Sequence, residues 1–318
     1  MSEMTERDIV SLLRSEAKDC ADPVLKSGDH VGAWTVTAFL GGGGFGEVYR
    51  VVHSQVGLAC ALKLLKDLSE ASRARFVLEA RVLARQLHSG IPRFYETGEV
   101  NGRPYLVMEL LDPRELPAKE QGIANLALRL CSICQSLHAA GLVHRDIKPA
   151  NVLYREGGEV VLTDYGLVKR IDSGVSAGQD GDSQLTQVQL VMGTGRYVAP
   201  EQFVGEAASP FADIYAVGVL LNECFRGTIP RRWWRIICRA TTSLPERRYR
   251  SMAELAKAIR YRFCREIFVL GFVMACAILV VVAFKCGGRT WGALGRHSNP
   301  ESIVPRNVSE SASEWLAE

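Results

Sequence analysis

Charge of one sign is nearly absent as an excess in this chain: 38 Lys and Arg against 35 Asp and Glu leave only +3 over 318 residues. An imbalance this small excludes nucleic acid as the main partner, because binding to a phosphate backbone needs a strongly basic surface. Regular cysteine spacing is also missing. Nine cysteines, an odd number, make no disulfide framework, and reduced thiols of a cytosolic domain are the simpler account. The pair nearest to a known motif, Cys131 and Cys134 in LRLCSICQSLH, lies in an apolar helical pattern. No second Cys/His pair follows at zinc spacing, which argues against a metal or redox role. The N-terminus, MSEMTERDIV, lacks the basic and apolar regions of a signal peptide. Repeats and low-complexity tracts are absent, and the 47% apolar content is enough for a full core.

One long hydrophobic run is present. IFVLGFVMACAILVVVAF, residues 267–284, is 18 residues without a charge, about 27 Å as a helix and close to the thickness of a bilayer's hydrocarbon. A buried core helix rarely lacks any polar face, so the run reads as a transmembrane helix. Seven basic side chains occupy the 20 residues before it and three the 20 after it. The positive-inside bias therefore keeps the N-terminal part in the cytoplasm and sends a short tail, 285–318, across a cell membrane spanned once.

Ahead of that run, 5–18 could form a short amphipathic helix in an N-terminal extension, 1–30. From about Val31 the pattern is strand-like: VGAWTVTAFL, then a glycine cluster, then EVYRVVHS and LACALKLL, which predicts a small antiparallel sheet. RARFVLEARVLARQLH, 73–88, has Phe76, Ala80, Leu83 and Leu87 at helical spacing. RPYLVMELL, 103–111, is again strand-like. Beyond it helices dominate, with loops expected at 143–151 and 164–201.

The glycine cluster GGGGFGEV, 41–48, demands backbone freedom or a close approach to a ligand. As a P-loop it fails, because Glu47 and Val48 stand where lysine and a hydroxyl belong. As a dinucleotide fingerprint it fails as well, since a strand and not a helix follows. The spacing Gly41-x-Gly43-x-x-Gly46-x-Val48 leaves a phosphate-covering loop or a plain glycine hairpin. Glu79 shares the buried helix face of Phe76 and Leu83, and a buried carboxylate needs a partner; Lys63 on the strand CALK is the natural candidate.

HRDIKPAN, 144–151, is the most specific run in the chain and resembles the catalytic loop of protein kinases. DYG, 164–166, and YVAPE, 197–201, follow in the order that family has, and QLTQVQLVMGTGRY is similar to the activation loop of bacterial single-pass transmembrane serine/threonine kinases. The resemblance covers about residues 34–263. It implies an α+β, bilobal kinase fold over 31–263, with a small lobe of antiparallel sheet plus one helix to about 109 and a larger helical lobe from about 112. It implies ATP as phosphoryl donor, Mg²⁺ with Mn²⁺ as a permissible substitute, and Ser/Thr hydroxyls of proteins as acceptors.

By the same resemblance, Asp146 takes or orients the acceptor's proton and Lys148 steadies the transferring group. Asn151 and Asp164 hold the metal, and Lys63, paired with Glu79, holds the phosphates. Gly41, Gly42, Gly43, Gly44, Phe45 and Gly46 form the lid. Leu40, Val48, Ala61 and Leu153 sandwich the adenine, and the backbone of Glu109 and Leu111 reads its edge behind Met108. Asp213 anchors the catalytic loop and Glu201 pairs with Arg248. Glu47 is expected to be an ordinary strand residue. Ser251 and Glu254 have capping-box spacing. Tyr165 replaces the family's usual Phe, so its hydroxyl needs a partner if buried. Asp213 and Arg248 are only 35 positions apart. That short interval leaves little room for a substrate-docking helix; Trp233 and Trp234 in RGTIPRRWWRIICRA, with Arg231, Arg232 and Arg235 around them, form either a substitute surface or, the favoured reading, a compact core turn.

Together these features describe a membrane-anchored serine/threonine protein kinase, with a homodimer as the partner for autophosphorylation. The alternatives are a pseudokinase scaffold, disfavoured because Lys63, Asp146, Asn151 and Asp164 are all present, and a small-molecule phosphotransferase, disfavoured by the Ala-Pro-Glu segment. Arg145 before Asp146 marks kinases switched by an activation-loop phosphate. Among Ser173, Ser176, Ser183, Thr186 and Thr194, Thr186 fits that phosphosite and Thr194 the threonine contacting Asp146 and Lys148. Thr186→Ala is expected to lower kinase activity and Thr194→Ala nearly to abolish it; full activity in both variants would refute the assignment.

Overall fold

Alternation of apolar residues with period two builds the first layer. The computed structural model describes residues 23–43, 46–171, 195–204 and 208–261, with Ile278 alone beyond them. The chain divides into two units, Met1–Arg262 and Phe263–Glu318, and the fold below is that of the first. The expected 5–18 helix, Gly44, Phe45, Thr186, Thr194, the tail and, apart from Ile278, the 267–284 run all lie outside the described residues. Among the described residues no helix is long and apolar enough to cross a membrane.

The small lobe is a six-stranded antiparallel sheet with order β1-β2-β3-β4-β6-β5. Its strands are β1 (His30–Val31), β2 (Trp34–Gly42), β3 (Gly46–His53), β4 (Ala59–Leu65), β5 (Phe94–Val100) and β6 (Arg103–Glu109). Tyr49 and Val51, Cys60, Leu62 and Leu64, and Tyr105 and Val107 point to one face, where Leu25, Val31, Trp34 and Val36 complete a core. The opposite face carries Val48, directly across from Lys63, and Ala61, across from Met108. Strand β5 was not apparent in the sequence: its exposure alternates along FYETGEV, but it is an edge strand and largely polar.

Glu47 is not an ordinary strand residue. Facing the same side as Tyr49, it is completely buried and accepts hydrogen bonds from the Tyr49 hydroxyl and from Val24 N–H at 3.0 Å, with Lys66 Nζ 3.0 Å away. Burial pushes this carboxyl up, and the three donors outweigh it, leaving the pKa below its ordinary value. The segment before β1 is thereby strapped over the sheet, since Leu25 N–H also donates to the Tyr49 hydroxyl at 3.0 Å.

Helix α1 runs Glu70–Arg85, three residues earlier at both ends than the periodicity predicts. Asp67 accepts from Ser69 and Ser72, Ser69 caps Ser72 N–H, and Gln86 turns left-handed to stop the helix, so Leu87 falls outside it. Phe76, Glu79, Val82 and Leu83 form its buried side.

The larger lobe is built on α2 (Glu120–Ala139), with the short α3 (Pro200–Phe203), then α4 (Pro210–Cys224), α5 (Arg231–Ala240) and α6 over 252–261. Cys131 and Cys134 lie on the buried side of α2, where burial pushes the Cys131 thiol up to about 12. Short strands enter or flank the segments read as loops: β8 (Leu142–Val143) pairs with β11 (Lys169–Arg170), and β9 (Val152–Tyr154) pairs with β10 (Val160–Leu162) and with β7 (Asp112–Pro113). These pairings hold 144–151 between two fixed points.

RGTIPRRWWRIICRA is not a turn: it contains α5, whose Trp233 is buried while Trp234 is 55% exposed. Only half of the expected capping box forms at α6. Ser251 Oγ accepts from Glu254 N–H at 3.2 Å, whereas the Glu254 carboxylate takes Arg250 N–H at 2.6 Å and Arg239 at 2.7 Å.

Arg248 and Glu201 form a buried bidentate pair at 2.7 Å for both bonds, with Arg248 also donating to the carbonyls of Thr242, Ser243 and Phe211. Replacing Arg248 by Met leaves an uncompensated buried carboxylate. We expect a loss of about 3–5 kcal/mol in urea unfolding; an unchanged midpoint would show that the pair is not a structural anchor.

Candidate active site

Three charged side chains from three elements meet at one point. Lys63 Nζ on β4 lies 2.7 and 2.8 Å from the two Glu79 oxygens on α1 and 3.0 Å from Asp164 Oδ1 in the segment after β10. Burial works against the lysine's charge, but Asp164 and Glu79 raise its pKa above the ordinary value. Burial likewise pushes Asp164 up, and the Lys63 ammonium outweighs it, holding the carboxyl at about 2. Glu79 is pushed up by burial despite Lys63. With all three ionised, one cation faces two anions, and the leftover negative charge at Asp164 suits a hard cation with oxygen ligands.

A second group lies on the 144–151 loop. Asn151 Nδ2 donates to Asp146 O at 2.8 Å and Oδ2 at 3.0 Å, and Lys148 Nζ is 2.9 Å from the same carboxylate oxygen. A 3-10 turn over Pro149–Asn151 brings Asn151 back to Asp146. The loop is held from below by Asp213 in the first turn of α4, which is completely buried. Its carboxylate accepts from the backbone N–H of His144 at 3.0 Å and Arg145 at 2.8 Å and contacts His138 Nε2 at 2.7 Å. These bonds hold Arg145 at φ 70°, a left-handed backbone that non-glycine residues rarely adopt; Asp164 is at φ 63°.

His144 links the two groups. Its Nε2 lies 3.2 Å from Thr163 O and its Nδ1 accepts Asp146 N–H at 3.3 Å, which assigns the Nε2–H tautomer. Burial lowers its pKa, so the ring is neutral at pH 7. It packs edge-on against Tyr165, whose buried hydroxyl finds its partner in Leu162 O at 2.8 Å.

Above these groups the sheet register places Val48, Ala61 and Met108 on the face of Lys63. A register shift between Phe39 and Gly41 leaves Leu40 as an extra residue in β2. Leu153, half-buried on β9, comes from the larger lobe. Glu109 N–H donates to Arg93 O at 2.8 Å, and Leu111 is buried just beyond. The glycines differ in kind. A Cβ at Gly46 would sit 2.6 Å from Leu64 O in the neighbouring strand, so packing forbids a side chain there, whereas Gly41 and Gly43 face open space.

Several contributors escaped the sequence reading. His138 and Arg155 carry no motif. Arg155 binds both Glu109 oxygens at 2.7 and 2.9 Å and the carbonyls of Ser89 and Ile91, tying the strand that ends β6 to the turn after α1. The Arg155 hydrogen bond counters the effect of burial and holds Glu109 below its ordinary pKa. Arg75 and Lys169 crowd Arg145; burial and then these two arginines pull the Lys169 ammonium down to about 8. The partners of Arg155 and Lys169 are distant in sequence, so no local spacing could have revealed them.

A lysine shared between two carboxylates beside the apolar sheet face of Val48, Ala61 and Met108, and an aspartate beside an asparagine and a lysine, are chemically suited to handling a phosphoryl group. A family profile described as the protein kinase domain matches residues 34–263, and the chain belongs to that family. It is similar to bacterial serine/threonine kinases. PknA of Mycobacterium tuberculosis is 37% identical over 217 residues, 63% of this chain and 48% of that one. A probable PknB of Corynebacterium glutamicum is 34% identical over 212 residues, 62% and 32% of the two chains. The crystal structure of the M. tuberculosis PknI kinase domain aligns with a TM-score of 0.56 at 25% identity, covering 75% of this chain and 99% of that one. The chain thus spans a third to a half of the length of these curated relatives.

Removing Arg155 strands a mostly buried carboxylate and two carbonyls. Arg155→Ala is expected to lose about 2 kcal/mol in urea unfolding, with part of the loss recovered when Glu109→Gln is added. A single-variant effect unchanged by Glu109→Gln would mean that the two side chains are not coupled.

Proposed function

We propose that the chain is a serine/threonine protein kinase anchored to the cell membrane through 267–284, with its catalytic domain in the cytoplasm. The observation that carries the catalytic reading is the grouping of Lys63, Glu79 and Asp164 at one point and of Asp146, Lys148 and Asn151 on the loop that His144 links to it. The donor set fits ATP with Mg²⁺, or Mn²⁺: an ammonium fixed for phosphate oxygens, a carboxylate held ionised at about 2, and a neutral amide beside it. When bound, the metal would offset the negative charge of the phosphates, with Asp164 and Asn151 as the residues that would hold it.

The residues then divide the work. Lys63, oriented by Glu79, binds the α- and β-phosphates of the donor. Asp164 and Asn151 are the metal-holding oxygens. Asp146 accepts a hydrogen bond from the Ser or Thr hydroxyl and orients it for attack, and Lys148 offsets charge on the group in transfer. Leu40, Val48, Ala61 and Leu153 enclose the adenine, and Gly41, Gly43 and Gly46 cover the phosphates and exclude water.

Control by autophosphorylation is supported by Arg145 directly before Asp146 and by the place of Thr186 in a sequence similar to the activation loop of bacterial transmembrane kinases, where a phosphate would give the arginine a charge-assisted partner. A second copy of the chain would deliver that phosphate. The membrane reading rests on the charge-free run 267–284 and the basic residues before it.

Asp146→Asn keeps the shape of the loop and removes the charge. Protein phosphorylation with labelled ATP and Mg²⁺ is expected to fall by at least about 100-fold while ATP binding persists. Wild-type protein that makes no phosphoserine or phosphothreonine on itself or a generic protein would overturn the kinase reading.

A further inference from the structure

The near-neutral balance of the whole chain conceals a concentrated surplus. Residues 231–261 contain nine Lys and Arg against two Glu. Three of the arginines are committed to the fold: Arg232 to Glu120, Arg239 to Glu254 and Arg248 to Glu201. The other six are exposed. Arg231 and Arg235 lie on α5, Arg247 and Arg250 in the connection, and Lys257 and Arg260 on α6; Glu246 is the one exposed acid among them.

Helical spacing gathers these charges. Arg231, Trp234, Arg235 and Cys238 recur at i, i+3, i+4 and i+7 and share one exposed face of α5. Lys257, Arg260 and Tyr261 share an exposed face of α6. The 2.7 Å bridge from Arg239 to Glu254 ties the two helices together, so both faces belong to one surface. Large apolar groups stand among the charges: Trp234 is 55% exposed, Leu244 45% and Tyr261 68%. Like charges along a helix face oppose folding, and an indole in water gains nothing, so stability does not account for this surface.

Arg and Lys interleaved with Trp and Tyr match the chemistry of a bilayer interface with anionic headgroups. The chain also limits the distance. Only 262–266 separate Tyr261 from the charge-free run at Ile267, so fully extended backbone reaches about 20 Å at most. We propose that the exposed face of α5, α6 and their connection docks on an anionic lipid surface. Its arginines and lysines bind headgroup phosphates while Trp234, Leu244 and Tyr261 enter the interface. The tether rests on the membrane-anchor reading above; the surface itself rests on residues 231–261.

Cys238, exposed on the same face, provides the probe. The full chain is reconstituted into vesicles of neutral phosphatidylcholine, or with phosphatidylglycerol replacing about a third of the lipid. Cys238 labelling by a water-soluble maleimide is then followed by peptide mass spectrometry. Labelling is expected to slow at least about fivefold on the anionic bilayer and to recover at about 0.5 M salt. Arg231→Glu/Arg235→Glu should remove the difference while buried Cys60 stays unlabelled, which checks folding. Equal rates on both bilayers would overturn the proposal. So would slowing that follows protein concentration and not lipid charge, which would assign the face to a second copy of the chain. Alkaline extraction of the same vesicles reads the anchor separately: extractable protein whose Cys238 is still shielded by anionic lipid would refute the anchor and uphold the surface.

Discussion

A single ammonium group, Lys63 Nζ, holds the site together. It is almost removed from water, and it can stay charged there only because Glu79 and Asp164 approach from two other parts of the chain. Glu79, buried beside it, could not be ionised at that depth without it, and the half-exposed Asp164 is held ionised by it. The requirement is mutual, so the position of β4, the docking of α1 and the left-handed turn at Asp164 are conditions of one another. Moving α1 outward would leave Glu79 among apolar neighbours with no cation and would leave Asp164 as the lysine's only partner. The geometry of the phosphate end of the cleft thus follows from a charge that has to be paired.

The loop below the cleft obeys a second constraint of the same kind. Arg145 is held in a backbone conformation that costs of order 1–3 kcal/mol, and the compensation comes from Asp213, whose buried carboxylate takes two successive N–H groups and His138. Since Asp213 sits at the start of α4, which packs on α2, the strain is held by the rigid part of the larger lobe. Asp146 follows directly in sequence, so its carboxylate is set by a residue that does not touch it. His144, neutral and bonded at both ring nitrogens, passes the same constraint to Thr163 and so to Asp164. The two halves of the site are joined through backbone and imidazole as well as through Lys63.

What was legible in the sequence follows from where each interaction is encoded. Lys63 with Glu79, and the ordered series HRDIKPAN, DYG and YVAPE, depend on residue types at short or fixed spacing; the structure pairs Lys63 with Glu79 and Asp164, groups Asp146 with Lys148 and Asn151, and pairs Glu201 with Arg248. The sheet alternation was readable for β2, β3, β4 and β6, whose apolar sides are regular. It was not readable for the polar edge strand β5, nor for the short strands β7, β8, β9 and β11, which exist because distant segments pair. Glu47 was misread because burial of a charge beside Tyr49 depends on the strap at Val24 and Leu25, 23 residues earlier in the chain. Arg155 escaped for the same reason, since its partner Glu109 lies 46 positions away. Helix α5 was mistaken for a turn because ten residues with two adjacent tryptophans show no repeated apolar stripe long enough to reveal a period.

The base of the larger lobe shows how one residue type can serve two ends in a stretch of thirty residues. Arg232, Arg239 and Arg248 each face a carboxylate on a different element, and together they clamp α2, α6 and the segment around α3 to a lobe with little chain between Asp213 and Arg248. A short connection of this kind gains rigidity from ion pairs that a longer helical insertion would supply by packing. The arginines between them on the helix surface cannot be doing the same, since the helical period turns Arg231 and Arg235 away from every carboxylate that anchors the fold. Their charge is directed outward at fixed positions by the very pairs that hold their neighbours inward. A surface made rigid in this way pays little conformational entropy on meeting a partner of opposite charge, which is the condition under which scattered weak contacts add up to docking.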